Sequence, residues 1–180
     1  VSADLSVLAR QLDQLLGAEG FSQYRSQQKV RADDQMVRER AARALSESVG
    51  VLTTLHAAFQ RAYIPPATRQ NPFPPADEAA RSAAILALRD RLVNAGALIR
   101  GMPLPGTDRI WQQVRYSGDL LWHLLAVDYQ LITTCEQARD RIAALTPGAW
   151  HDTDAPALLD GLFAAIEQHI RERQQLLAGI

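Results

Sequence analysis

Apolar residues recur at alternating spacings of three and four along most of the chain, the signature of helices that bury one face. Leu5, Leu8, Leu12, Leu15 and Leu16 mark a first segment, from about residue 4 to 16. Ala42, Leu45, Val49, Leu52, His56, Phe59 and Tyr63 mark a second, which starts near Phe21 and ends at Pro65-Pro66. Ile85, Leu88, Leu92, Ala95 and Ile99 mark a third, over 76–100, with Gly101 as its stop. Ile110, Val114, Leu121, Leu124, Leu131, Cys135, Ala138 and Ile142 mark a fourth, capped by Thr107 or Asp108 and running to about Leu145. Leu159, Phe163, Ile166, Ile170 and Leu177 mark a fifth, capped by Asp152, Thr153 or Asp154 and ending near Ala178. Between the second and third segments, the connector over 64–76 holds five of the nine prolines. No alternating strand pattern and no internal repeat interrupts this order.

The pattern predicts an all-α protein: an up-down antiparallel bundle of four main helices over 37–180, with an N-terminal helical hairpin over 1–36. Antiparallel helices joined by a short turn place residues at equal distances from that turn opposite one another. Across the turn near residue 150, Ile142 meets Leu159, Cys135 meets Ile166, and Asp128 meets Arg173. Across a turn near residue 104, Leu88 meets Leu121, Ile85 meets Leu124, and Arg81 meets Asp128. Across the proline connector, Leu45 meets Ala95, Leu52 meets Leu88, and Phe59 meets Arg81. These registers converge on one polar layer of Arg81, Asp128 and Arg173, with His56 a turn away.

A lone carboxylate on an apolar seam is costly to bury, and facing guanidiniums compensate it. The layer reads first as a structural device that fixes helix order. Its surplus positive charge also suits a small carboxylate or phosphate, with Phe59, Tyr63 and Trp122 as pocket walls.

Helix lengths pose a second question. The second and fourth segments, unbroken, are about 40 residues or roughly 60 Å, whereas the third and fifth are about 25 residues or roughly 37 Å. In these registers the hairpin from Leu131 to Ile166 projects beyond its neighbours. Either Gly118 bends the fourth segment and Ala32-Asp33-Asp34 breaks the second, or a second copy or protein partner covers the hairpin.

Composition narrows the function classes. Among 180 residues, 47% are apolar and 22% charged, with a net charge of -1, which offers no basic surplus for nucleic acid. Apolar runs are too short to insert in a membrane. One Cys excludes an internal disulfide framework. The basic residues are arginines apart from Lys29. The chain opens on Val1 without a basic-then-apolar leader, so it is read as processed or as an excerpt. The expected location is cytoplasmic, or a soluble domain cut from a larger membrane protein.

Motifs for chemistry are sparse. No Glu-x-x-His, His-x-x-x-His, P-loop or dinucleotide fingerprint occurs. Asp119 with His123, and His169 with Glu172, are same-face pairs that read as surface contacts. The stretch Leu121-Trp122-His123-Leu124-Leu125-Ala126-Val127-Asp128 resembles the histidine-bearing helix of the DinB-type metalloenzymes over that one helix. The paired-histidine motif of that family has no counterpart here, so no metal or cofactor is carried over. The chain therefore reads as a non-enzymatic interaction or sensing module. The alternatives are a small-anion sensor built on Arg81, Asp128 and Arg173, and a metal-dependent bundle enzyme.

Overall fold

A computed structural model describes residues 27–70, 72–102 and 118–178, together with residues 7, 11 and 14, which have helical backbone. Among the described residues the protein is all-α. Its elements are α1 (Gln27–Tyr63), α2 (Ala76–Arg100), α3 (Gly118–Ala143), the short α4 (Pro147–Asp152) and α5 (Ala155–Ala178). Most of the expected N-terminal hairpin, and the stretch 103–117 expected to open the fourth helix, lie outside the described residues.

Local chemistry sets the helix ends. Pro75 precedes α2 and carries no side-chain cap, but Asp77 and Glu78 place negative charge in the first turn, where the helix dipole favours it. The Gly101 N–H closes α2 on the Ala97 carbonyl at 2.8 Å. The Thr146 hydroxyl accepts the Ala149 N–H at 3.2 Å, with Pro147 in the first turn, and this starts α4. The Asp154 carboxylate accepts the Ala157 N–H at 3.3 Å and opens α5. The sequence pattern did not anticipate α4; a Thr-Pro-Gly run is both a break and a helix start.

Cross-helix contacts give the order of packing. α1 and α2 run antiparallel: Arg38 donates to the Met102 carbonyl at 3.4 Å, and His56 meets Ser82 at 3.0 Å. α3 and α5 run antiparallel, with Arg173 on Asp128 at 2.7 Å. α1 and α3 run parallel, since Arg40 pairs with Glu136 at 2.7 Å and Glu47 with Arg139 at 3.8 Å. α2 and α5 also run parallel, with Met102 beside Arg173, Arg91 on Glu167 and Asp160, and Arg81 beside Trp150. The fold is thus two antiparallel hairpins laid side by side, with the proline connector and α4 at the same end.

This arrangement corrects two expectations. The register counted from a turn near residue 104 does not hold, because α2 and the described α3 belong to different hairpins. Met102, not Arg81, stands at the level of Asp128. The projecting hairpin also disappears. α1 continues unbroken through Ala32-Asp33-Asp34 for 37 residues, roughly 55 Å, and runs alongside α3 above Asp128. Leu131, Cys135, Ile142, Phe163 and Ile166 are buried within one chain and need no second copy to cover them. They join Leu45, Leu52, Phe59, Ile85, Leu92 and Ile99 in one continuous core.

Candidate functional site

The buried polar layer lies at the end of the bundle opposite α4. Arg173 on α5 is 1% exposed and Asp128 on α3 is 2% exposed. Arg173 uses its whole guanidinium: Nε donates to Asp128 Oδ1 at 2.7 Å, Nη2 to Asp34 Oδ1, and Nη1 approaches the Met102 sulfur at 3.4 Å. Asp34, on α1, also holds Arg38 one turn later through Nη2 at 2.9 Å. Arg38 Nη1 caps the end of α2 by donating to the Met102 carbonyl at 3.4 Å and that of Arg100 at 3.5 Å. Arg38 Nε is buried and has no hydrogen-bond partner among the described residues.

Electrostatics within the layer follow from this geometry. Burial pushes the Asp128 carboxyl above its ordinary range, and the Arg173 charge pulls against that shift. Burial disfavours the Arg173 charge, but Asp128 and Asp34 outweigh it and hold the guanidinium charged. Two carboxylates and two guanidiniums close the layer with no net charge. The surplus positive charge expected from one Asp between two Arg is therefore absent.

The structure brings together only part of the residue set expected from sequence. Asp128 and Arg173 meet. Arg81 lies near α4 at the other end, half-exposed and paired with Glu78 at 3.0 Å. His56 is also outside the layer, bonded to buried Ser82 between α1 and α2. Phe59 is fully buried core and tilts against Tyr63 at 5.0 Å, so neither forms a wall beside Asp128. Trp122 packs edge-on to His123 at 5.0 Å. His123 itself is exposed, and its Nδ1 lies 2.7 Å from the Asp119 backbone carbonyl rather than on that residue's carboxylate.

Asp34 and Arg38 were missed because they sit in a stretch crowded with charged residues, where Asp34 reads only as part of a possible helix break. A signal existed: stepping back from Leu45 by threes and fours along the seam reaches Arg38 and then Asp34, an Asp-Arg pair four apart.

A second polar cluster stands at the α4 end. His151 places Nδ1 at 2.7 Å from Asp152 and Nε2 at 3.1 Å from Glu78. Its ring stacks on Tyr63 at 4.3 Å, and the neighbouring Trp150 donates to the Arg81 carbonyl at 3.2 Å. The bond to Asp152 raises the His151 pKa above the ordinary histidine range; burial opposes the shift and the Glu78 charge adds to it.

Other chemistry is limited. Burial pushes the Cys135 thiol up to about 12, which removes thiolate nucleophilicity at neutral pH. His169 and Glu172 form a pair at 3.4 Å. Among the described residues, no group of three or more His, Cys, Asp or Glu could hold a metal ion. No helix among them is long and apolar enough to cross a membrane.

The surface between α1 and α3 is indented along its length. A charged groove of about 350 Å³ is lined by Arg40, Arg43, Arg139, Glu39, Glu47 and Glu136. Beyond Glu47 it gives way to an apolar groove of about 510 Å³ along Gly50, Val51, Thr54, Leu55, Ala58, Leu145 and Pro147. An added Cβ at Gly50 would meet nothing within 4 Å. No family model, curated protein or solved structure matches the chain.

Proposed function

We propose that the chain is a non-enzymatic interaction module that receives an amphipathic helix of a partner protein in the groove between α1 and the α3–α4 corner. The observation that carries this reading is the groove itself, open on the outer face of a bundle whose buried charges are already neutralised. Leu55 forms its buried floor, and Val51, Ala58, Leu145 and Pro147 its half-buried sides. Thr54 also lines the groove, and its hydroxyl is taken up by its own helix, donating back to the Gly50 carbonyl at 3.2 Å. Gly50 lets a second backbone approach closely. Half-exposed Glu47 marks the charged end. The occupant that fits is a helix with small and apolar residues on one face and a Lys or Arg at the end that meets Glu47. The small-anion alternative is not carried forward, because Arg38 and Arg173 are answered by Asp34 and Asp128.

A short amphipathic Ala/Leu/Lys peptide titrated into isotope-labelled protein tests the reading by NMR. Shifts should concentrate at Val51, Thr54, Leu55, Ala58 and Leu145, and Gly50→Arg should abolish them while the rest of the spectrum stays native. No shifts at millimolar peptide, or equal shifts in the Gly50→Arg variant, would overturn it.

A further inference from the structure

The cluster around His151 lies at the α4 end, opposite the buried layer and past the Pro147 end of the proposed groove, and its residues line neither. Its geometry is unusual in one respect: both imidazole nitrogens face carboxylate oxygens, Nδ1 at Asp152 and Nε2 at Glu78. Only the doubly protonated ring donates at both positions; the neutral ring would turn a lone pair toward one of the carboxylates. Glu78 has Arg81 as its other partner, at 3.0 Å. Its Oε1 serves both His151 and Arg81, and its Oε2 is buried without a hydrogen-bond partner among the described residues.

The same histidine, with buried Trp150 beside it, ties α4 to the other hairpin. Tyr63 from α1 stacks on it, Glu78 from α2 bonds it, and Trp150 beside it reaches the Arg81 carbonyl. The charged and titratable groups around the ring are Glu78 and Arg81 on α2, Tyr63 on α1 and Asp152 on α4. Asp154 lines the adjoining cleft of about 290 Å³. Three carboxylates against one guanidinium leave the site short of positive charge, which the imidazolium supplies. α4 itself is only six residues, closed by few backbone bonds of its own, among them Trp150 N–H to Thr146 at 2.9 Å and Thr153 N–H to Ala149 at 3.2 Å.

We propose that His151 is the pin of a pH-operated clasp: protonated, it holds the α4 turn closed over Trp150 and onto the α1–α2 hairpin; as pH rises and the ring loses its proton, the turn is released. The sign follows from linkage. A histidine whose folded pKa is raised contributes closure that is complete below its free pKa, about 6.5, and is lost as pH rises through the folded value. Opening would enlarge the cleft beside Trp150 and expose its indole, so the device reports alkalinisation as a change of surface at one bundle end.

NMR titration of the imidazole signals, alongside amide exchange protection factors for Trp150 and Thr153, tests this on the whole chain. His151 should titrate above the ordinary histidine range, and protection at both amides should fall across that same interval. In His151→Gln the protection should be low and independent of pH, whereas His169→Gln should keep the full effect. Glu78→Gln should move the His151 titration down. A His151 that titrates at or below about 6.5, protection that does not change through its titration, or a pH dependence retained in His151→Gln would each overturn the clasp.

Discussion

Replacing Arg173 by Met removes the one group that touches Asp128, Asp34 and Met102 together, while keeping most of the buried aliphatic volume. Asp34 keeps Arg38, so the loss falls on Asp128, which is 2% exposed. Stranding one member of a buried ion pair costs about 3–5 kcal/mol. The structure sets a ceiling by a second route, because the stranded carboxyl can escape by taking up a proton. Holding a proton at pH 7 on a group of ordinary pKa about 3.9 costs roughly 4 kcal/mol, and at pH 5 only about 1.5 kcal/mol. The native variant then binds more protons than its unfolded chain, so its stability falls as pH rises. Urea unfolding followed by far-UV circular dichroism at both pH values measures the difference. Arg173→Met should lose about 4 kcal/mol at pH 7 and distinctly less at pH 5, and adding Asp128→Leu should restore most of it. A loss under about 1 kcal/mol at pH 7, or an equal loss at both pH values, would refute the reasoning.

Three further outcomes follow from local geometry. Gly161→Ala should raise stability by about 0.5–1 kcal/mol in the same assay, because the residue is exposed within α5 and an added Cβ meets nothing within 4 Å. Thr146→Ala should cost about 0.5–2 kcal/mol by removing the cap of α4, and should lower exchange protection at Ala149 first. Cys135 should react with a neutral thiol reagent only at the rate of global unfolding, since it is fully buried and its thiol is pushed up to about 12; fast labelling in native buffer would contradict the packing.

The sequence was most legible where connections are short. The bounds of α2 follow directly from Pro75 and Gly101. The Asp128–Arg173 pair follows because α3 and α5 are antiparallel neighbours joined only through the short α4, so counting outward from residue 150 is a valid register. The same counting failed between α2 and α3, which belong to different hairpins, and this carried Arg81 to the wrong end of the molecule. It also made α3 and α5 seem to overhang, when α1 covers α3 and α2 covers α5, each from the parallel side. Asp34 and Arg38 were hidden for a different reason: a charged residue on a seam looks like one on a solvated face until its partner helix is known. The His151 cluster was beyond reach, since it joins α1, α2 and α4 through single side chains and no periodicity marks it.

In the buried layer Arg173 closes on Asp128 and Asp34, and Asp34 on Arg38. The Arg173 Nε–H is the most direct probe of that closure. Bonded to a buried carboxylate, it should give a downfield, slowly exchanging NMR signal, identified by its loss in Arg173→Met. The prediction is that this signal is present and does not move when inorganic phosphate or acetate is added to millimolar levels. A signal lost to rapid exchange, or one that shifts with either anion, would contradict the claim.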